Sequence, residues 1–276
     1  MSKKQIGRTD IEYAAFPDGK PGYSWNWFEG CANGPEVCPV QEKCWARSMA
    51  KWFGRDFTPH LVPERLLDPL TPHKPGIWLV NFTGDTCGPW VDPDKLFDTD
   101  ILFNTGDMRH RVKPLKTIIF EIMDKCPDDR FLFLTKNPQN IKLWGPWPDN
   151  DWVGVSAWDS KSAWNAYAEL SIVKAKVKYL SLEPLLGQVD TRMIVNNFPG
   201  NISWLIIGGL SRGKNPDDLV SWVKEIVEAA DKAKIPVFLK NNLYRTLAEA
   251  GAKWAFIPAG MNLRQERPEG LKCPSK

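Results

Sequence analysis

The chain has 276 residues, of which 43% are hydrophobic and 25% charged. A chain of this length and composition buries a full core without disulfides, which excludes collagen-like, coiled-coil and disordered proteins. The formal net charge of +3 neither demands nor excludes a nucleic-acid partner. No apolar run approaches the roughly 20 residues that span a bilayer, and the N-terminal residues lack the apolar core of a signal peptide. We therefore predict a cytoplasmic protein without a membrane partner.

Short apolar runs rich in β-branched and aromatic residues recur along the chain and alternate with helical patterns, which is typical of repeated βα units. They predict up to eight strands, at residues 22–28, 76–82, 130–135, 151–156, 177–182, 202–208, 235–240 and 253–257. The 14 Trp residues predict an aromatic-rich core and pocket wall.

Three of the intervening helices have clear start signals. One begins after Asn215-Pro216-Asp217, one is capped by Asp159 or Ser160, and one begins at Pro114. Residues 87–112 have poor periodicity and predict an inserted loop.

Parallel strands with intervening helices predict an α/β fold, a single-domain TIM-like β/α barrel, closed or partly open, over residues 1–260. A doubly wound open sheet is the alternative. Residues 261–276 predict a polar C-terminal extension.

The residues that follow each strand of a β/α barrel line its C-terminal face, where the chemistry of this fold lies. Here those positions are polar or glycine-rich. They include Gly84, Asp85, Thr86, Lys136, Ser156, Glu183, Gly208, Gly209 and Lys240. Lys136 and Glu183 each end an apolar run, so we expect both to point into the mouth and to pair with each other or contact a ligand. The paired glycines would let a flat ring or a phosphate approach the backbone.

The strongest local signal is a cysteine loop, residues 31–44, which leaves the first strand and enters a helix. Cys31, Cys38 and Cys44 are separated by six and then five residues. Three thiolates leave one coordination position open, which is the arrangement of a cluster that binds a substrate at its unique iron, or of a catalytic zinc.

Other cysteines and histidines leave alternatives open. Cys87 could complete a four-cysteine zinc site or a closed iron–sulfur cluster. Cys126 and Cys273 are distant from the loop, and the isolated His60, His73 and His110 are interpreted as surface or loop residues.

The order of the motifs GYSWNWFEGC, CWARSMAKWF, GIWLVNFTGDT, FLFLTKNP, WVGVSAWD, SLEPLLG, WLIIGGLSRG and PVFLKNN resembles a phage and prophage family of proteins with a radical S-adenosylmethionine (SAM) type barrel. The resemblance covers residues 25–242. The cysteine spacing, C-x6-C-x5-C, is wider than the C-x3-C-x2-C of the radical SAM enzymes.

The resemblance implies a 4Fe–4S cluster held by Cys31, Cys38 and Cys44, with SAM bound at the open iron and reduced by a donor such as a flavodoxin or ferredoxin. Cleavage of SAM would then yield a radical that abstracts a substrate hydrogen, and the phage context suggests a small molecule, a nucleotide or a nucleic-acid base as the substrate.

The resemblance also suggests residue roles. Gly84, Asp85 and Thr86 would meet the methionine amino group, Ser156 the ribose or carboxylate, and Gly208 and Gly209 the adenine, with Trp45 beside the last cysteine. Lys136, Glu183 and Lys240 would supply substrate contacts or proton transfer. The alternative is a non-radical zinc or closed-cluster metalloprotein that binds a ligand or partner at the barrel mouth.

Overall fold

The structure is a computed structural model that describes residues 6–16, 18–100, 112–257 and 262–269. Its strands are β1 (Arg8–Thr9), β2 (Gly22–Trp25), β3 (Phe28–Glu29), β4 (His60–Leu61), β5 (Ile77–Val80), β6 (Leu96–Asp98), β7 (Val112–Pro114), β8 (Arg130–Thr135), β9 (Asp151–Ala157), β10 (Val177–Leu182), β11 (Trp204–Ile207) and β12 (Val237–Leu239). The α-helices are α1 (Trp45–Trp52), α2 (Leu115–Asp124), α3 (Ile141–Trp144), α4 (Ser160–Ser171), α5 (Thr191–Asn196), α6 (Leu219–Ala233) and α7 (Tyr244–Glu249). Short 3-10 helices cover Glu12–Ala14, Gln41–Lys43, Pro63–Arg65, Asp68–Leu70, Pro138–Asn140, Asn241–Leu243 and Lys253–Ala255.

The main sheet has the order β1-β2-β5-β8-β9-β10-β11-β12 and curls into a half-barrel. Every neighbouring pair from β2 to β12 is parallel, whereas β1 is antiparallel to β2. The predicted α/β class and mostly parallel sheet are confirmed. The short antiparallel pairs β3–β4 and β6–β7 lie outside this sheet.

The helices begin where the capping signals predict. Asp159 accepts a hydrogen bond from the Ser162 amide, and the Ser162 hydroxyl in turn accepts from the Asp159 amide, so a complete capping box opens α4. Lys234 ends α6 in the left-handed conformation with φ of 56°. None of the described helices is long and apolar enough to cross a bilayer.

The prediction of a strand at residues 253–257 is wrong. Lys253–Ala255 form a 3-10 helix, and only Phe256 makes a β-bridge, to Leu263. A short apolar run does not distinguish a strand from a buried helical turn. The eighth strand of the sheet is β1, which is too short to leave a sequence pattern.

Two apolar clusters occupy the two faces of the sheet. The helices α2, α4 and α6 cover one face. The other face presents a layer in which successive strands contribute Ile77, Leu79, Leu132, Trp152, Tyr179, Trp204, Ile206 and Phe238. Tyr13, from the N-terminal 3-10 helix, packs edge-on against Trp204 and Phe238 with ring centroids 5.9 Å apart. The predicted aromatic core is therefore present, and Trp side chains dominate it.

The described part of the C-terminal extension covers one edge of the sheet. The Leu239 amide donates to the Arg264 carbonyl, and the Glu266 amide donates to the Val237 carbonyl, each at 2.9 Å. These bonds satisfy backbone groups of β12 that would otherwise form an open edge. Residues 261 and 270–276 of the predicted extension and residues 101–111 of the predicted insertion lie outside the described residues.

Candidate metal centre and barrel mouth

The carboxyl ends of β5 and β8 to β12 meet at one rim of the half-barrel, which we call the mouth. The cysteine loop joins this rim through backbone pairing. Gly30 forms a parallel bridge with Gly84, and its amide donates to the Thr83 carbonyl at 3.2 Å. A Cβ on Gly84 would lie 2.9 Å from the Gly30 carbonyl oxygen. Close backbone packing therefore explains why glycine occupies position 84.

The three loop cysteines lie close enough to influence one another. Burial raises the pKa of the Cys31 thiol to about 11, and the charges of Asp85, Cys44 and Cys38 add to the rise. The Asn33 amide donates to the Cys31 sulfur at 3.5 Å and opposes that rise in pKa. Cys44 directly precedes α1, whose Ser48 amide donates to its carbonyl at 3.0 Å. The loop thus presents three free thiols beside the mouth.

The donor set consists of three thiols on one loop, the ligand type of both zinc and iron–sulfur sites. Among the described ranges, no group of three or more His, Cys, Asp or Glu side chains is arranged to hold a metal ion. A single zinc would need its thiolates to meet about 2.3 Å from one point, whereas a cubane would take each thiolate on a different iron. The Asn33 amide would then donate to one of the cysteine ligands.

The fourth candidate ligand, Cys87, faces the core. Its side chain is buried in the apolar cluster beneath the rim. Burial and the charge of Asp85 raise the pKa of the Cys87 thiol, and its hydrogen-bond partner is Thr135. None of the loop cysteines contributes to that shift. Cys87 therefore belongs to the core beneath the loop.

The two other cysteines are also separate from the loop. The Cys126 thiol donates to the Pro69 carbonyl at 3.4 Å, and burial raises its pKa to about 11. Cys273 lies outside the described residues.

Asp85 is the centre of the polar network beneath the loop. One carboxylate oxygen accepts from the Thr135 hydroxyl at 2.6 Å and the Cys87 amide at 3.1 Å. The other accepts from the Lys136 amide at 3.0 Å, from the Asn137 side chain at 3.0 Å and from the Asn33 side chain at 3.4 Å. The Asn137 side-chain amide also donates to the side-chain oxygen Oδ1 of Asn33 at 3.0 Å.

These contacts give Asp85 a structural role. A carboxylate offers about four acceptor positions, and donors of the protein occupy them. Asp85 therefore ties the cysteine loop to the ends of β5 and β8, and its contact with the methionine amino group stays a prediction.

Thr86 is likewise turned into the protein. Its hydroxyl accepts from the Asn81 side-chain amide at 3.0 Å, and the Oδ1 atom of Asn81 accepts from the Phe28 backbone amide at 3.0 Å. Asn81 itself has a φ of 53°. The Thr86–Asn81 pair thereby holds the turn from which the cysteine loop departs, and the ligand contact of Thr86 stays a prediction.

Lys136 and Ser156 lie together at the centre of the mouth. The Lys136 ammonium is 3.5 Å from the Ser156 hydroxyl. Ser181 neighbours Ser156 in the β9–β10 register, and its buried hydroxyl has no hydrogen-bond partner among the described residues. Ser156 lies four residues after Trp152, and Ser181 lies two residues after Tyr179. Because side chains alternate between the two faces of a strand, both serines lie on the sheet face that carries Trp152 and Tyr179. A cation and two hydroxyls thus line one part of the mouth.

The predicted Lys136–Glu183 pair is wrong. Glu183 binds the Lys240 ammonium at 2.5 Å, with Glu12 at 3.9 Å from the same ammonium. Lys136 and Lys240 each lie two strands from Glu183. β11, the strand between Glu183 and Lys240, is followed by Gly208, whose missing side chain leaves room for the pair.

The paired glycines are covered by the protein's own side chains. A Cβ on Gly208 would lie 3.0 Å from the Glu183 side chain, and one on Gly209 would lie 2.7 Å from Asn215. The Asn242 side chain binds both the amide and the carbonyl of Gly209, at 3.1 and 2.8 Å. This packing explains the need for glycine at both positions, and the adenine contact stays a prediction.

Trp45, the predicted aromatic neighbour of the cluster, begins α1 and is 47% exposed. Of the histidines, His60 is exposed and its ring contacts the Thr58 carbonyl at 2.7 Å. His73 is bound between the Asp129 carboxylate at 2.8 Å and the Thr71 carbonyl at 2.6 Å. His110 lies outside the described residues.

Sequence reasoning missed the asparagines of the site. Asn33 and Asn137 bridge the cysteine loop to the rim, and Asn81, Asn215 and Asn242 bind the turns around it. Two of these asparagines could have been found from their positions in the sequence. Asn33 lies two residues after Cys31, and Asn137 lies two residues after the end of β8.

The fold and site define an α/β half-barrel protein with three cysteines on a loop at the strand ends. The chain belongs to the family described as "Protein of unknown function (DUF5131)", whose profile matches residues 8–254. No curated protein and no solved structure matches the chain.

Proposed function

We propose that the chain is an iron–sulfur enzyme of the radical SAM type, in which Cys31, Cys38 and Cys44 hold a 4Fe–4S cluster. The observation that carries the proposal is the presence of three free thiols on one loop beside the mouth of a parallel half-barrel, with Cys38 and Cys44 both near enough to act on Cys31. Three protein ligands leave one iron free for SAM, which the resemblance to phage proteins of this type also implies.

When bound, the cluster and SAM supply reductive cleavage of the sulfonium and abstraction of a hydrogen from the substrate. The protein's own contribution is to hold the loop in place. Asp85 does this through Asn33 and Asn137, because its carboxylate joins the loop to the ends of two strands. The buried network keeps water away from the Cys31 side of the site.

The residues of the mouth bind and orient the ligands. The Lys136 ammonium and the Ser156 hydroxyl bind an anionic or hydroxyl-bearing group, either the carboxylate or ribose of SAM or part of the substrate. The Glu183–Lys240 pair joins a carboxylate and an ammonium at the ends of β10 and β12. It is therefore the candidate for proton transfer to or from the substrate.

The phage resemblance favours a nucleotide or a nucleic-acid base as the substrate class, and the chemistry requires a one-electron donor such as a flavodoxin or ferredoxin in the cytoplasm. Both the substrate class and the electron donor are part of the proposed function. The core position of Cys87 argues against a closed four-cysteine site, whether zinc or cluster, because such a site needs a fourth thiolate at the loop.

Metal analysis of cysteine variants tests the proposal. We expect anaerobically purified protein to contain about four irons and four sulfides per chain, the content of one 4Fe–4S cluster. Replacing Cys31, Cys38 or Cys44 with Ala should abolish that content, whereas Cys87→Ala and the matched control Cys126→Ala should retain it. One zinc per chain in protein made with adequate iron, or equal loss on Cys87→Ala, contradicts the three-cysteine cluster.

A further inference from the structure

Helix α1 stands out from the body of the protein with its apolar face uncovered. Among its residues only Ala46 is buried. Trp45, Met49, Trp52 and Phe53 fall at i, i+4, i+7 and i+8, so they share one side of the helix and its C-terminal end. Trp52 is 84% exposed, and the other three are each about half exposed. Large exposed apolar stripes of this kind mark interaction sites.

The same segment is uniformly basic. Lys43, Arg47, Lys51 and Arg55 recur every four residues, and residues 43–55 contain no Asp or Glu. None of these four side chains forms an ion pair with a described carboxylate. Exposed cations elsewhere do form such pairs, as in Lys113–Glu121, Arg192–Asp190 and Arg245–Glu249. We call the four apolar and four basic side chains the α1 surface.

The guanidinium groups of the α1 surface stack on aromatic rings. The Arg55 guanidinium carbon lies 5.4 Å from the Phe53 ring centroid, and that of Arg47 lies 5.2 Å from the Phe57 centroid. Cation and ring thereby form mixed platforms with a free outer face.

The α1 surface extends toward the mouth. A Cβ on Gly213 would lie 3.5 Å from the Lys43 ammonium, so the exposed 211–214 loop lies beside the start of the helix. This loop adds the Arg212 side chain and leads back to Gly209 at the end of β11. The same end of α1 directly follows Cys44, the last cysteine of the loop.

We propose that the α1 surface binds single-stranded nucleic acid, with bases stacked on Trp45 and Trp52 and the phosphates following Lys43, Arg47, Lys51 and Arg55. Exposed aromatic rings interleaved with unpaired cations are the recurring design for single-stranded nucleic acid. From Trp45 to Trp52 the helix rises by about 10 Å, which is the length of about three stacked nucleotides.

A duplex fits this surface less well, because its bases are stacked inside the helix and offer no free face to Trp52. An acidic protein would match the charge as well, so it enters the test as the competing occupant. The contribution of Trp52 distinguishes a single strand from a duplex, and competition by an acidic polypeptide distinguishes the single strand from an acidic protein. Binding to α1 requires neither iron nor SAM, so the proposal stands apart from the radical chemistry.

The test is fluorescence anisotropy of the full chain with a labelled oligothymidylate of about 12 nucleotides, within the usual range of site sizes. We expect binding that weakens steeply between about 50 and 200 mM salt. Trp52→Ala should weaken it about tenfold, the loss of one stacked base. The double variant Lys51→Gln/Arg55→Gln should reduce the salt slope by about 1.4. Trp164→Ala, which removes a partly exposed Trp from α4, and Lys224→Gln serve as matched controls and should leave binding unchanged.

Equal binding by Trp52→Ala and the unchanged chain overturns the proposal, as does binding to a duplex as tight as to the single strand. Competition by polyglutamate as strong as that by the oligonucleotide points to an acidic protein partner and also overturns it. Because Lys51, Trp52 and Arg55 are exposed, thermal unfolding should be unchanged in the variants that replace them. Measuring iron in the same preparations separates failure of this surface from failure of the cluster.

Discussion

The carboxylate of Asp85 accepts a hydrogen bond from the side chain of Asn33, so the end of β5 holds the cysteine loop two residues after Cys31. The same carboxylate binds the Thr135 hydroxyl at 2.6 Å at the end of β8. The position of the loop over the mouth therefore depends on one buried anion.

We expect Asp85→Asn to lower both stability and iron content. The amide replaces one acceptor oxygen by a donor that faces donors, which costs about 3 kcal/mol in the free energy of unfolding. Thermal unfolding and iron analysis of anaerobically purified protein measure the two effects. Asp94→Asn, which alters an exposed ion pair with Lys116, is the control and should change neither. Full iron content in Asp85→Asn would show that the network does not position the loop.

The Glu183–Lys240 pair should behave as a coupled unit. Glu183→Gln leaves the partly buried Lys240 ammonium with only the more distant Glu12, and we expect a loss of about 3 kcal/mol. The double variant Glu183→Gln/Lys240→Met should recover at least half of that loss, because neither buried charge remains. A double-mutant cycle by urea unfolding gives the coupling energy. Additive effects of the two substitutions would mean that the pair is not coupled in solution.

Asp151 should make the protein less stable as the pH rises. Both of its carboxylate oxygens are buried without a hydrogen-bond partner among the described residues, and burial, with the charge of Asp124, raises its pKa. A raised pKa in the folded state means that folding favours the neutral form of Asp151. The stabilisation from this preference is complete below the unfolded pKa of about 3.9, and it is lost as the pH rises through the higher folded pKa.

The isosteric variant Asp151→Asn removes this titration. Its free energy of unfolding, relative to the unchanged chain, should rise from pH 4 to pH 7 by about 1–3 kcal/mol. Urea unfolding at a series of pH values measures the difference, with Asp149→Asn as an exposed neighbouring control. A difference that does not vary with pH would contradict the buried neutral acid.

His73 should stabilise the fold as a cation. Its two ring nitrogens face the acceptors Asp129 and Thr71, an arrangement that requires both to carry protons. Burial alone would lower the pKa of His73, but the hydrogen bonds to Asp129 and Thr71 outweigh it and raise the pKa above 6.5. The stabilisation is complete below the unfolded pKa and is lost as the pH rises through the higher folded value.

Replacing His73 with Gln should lower stability by about 2 kcal/mol at pH 5.5 and by less at pH 9. Unfolding at both pH values, with His60→Gln as an exposed control, measures the change. An identical loss at both pH values would show that the ring is neutral in the fold.

The parallel sheet was predictable because its central strands are buried on both faces. Strands such as β8 and β10 therefore read as continuous apolar runs, and the intervening helices carry explicit caps such as Asp159. β1 was not predictable, because two residues carry no periodicity and its pairing with β2 is a tertiary event.

The cysteine loop was visible from spacing alone, but its anchoring was not. The donors that surround Asp85 come from positions about 50 residues away on both sides, and only the fold brings Asn33 and Asn137 together. The choice of Lys240 over Lys136 as the partner of Glu183 likewise depends on Gly208, whose missing side chain leaves room for the pair. Sequence patterns locate such residues at the rim without determining which of them meet.

The central claim is an open-site cluster at Cys31, Cys38 and Cys44, and electron paramagnetic resonance of the reduced, anaerobically purified chain tests it most directly. The account predicts the signal of a reduced 4Fe–4S cluster whose shape changes when SAM is added, because SAM binds the iron that lacks a cysteine. A cluster signal that SAM does not alter, or iron-free protein containing one zinc, would contradict it.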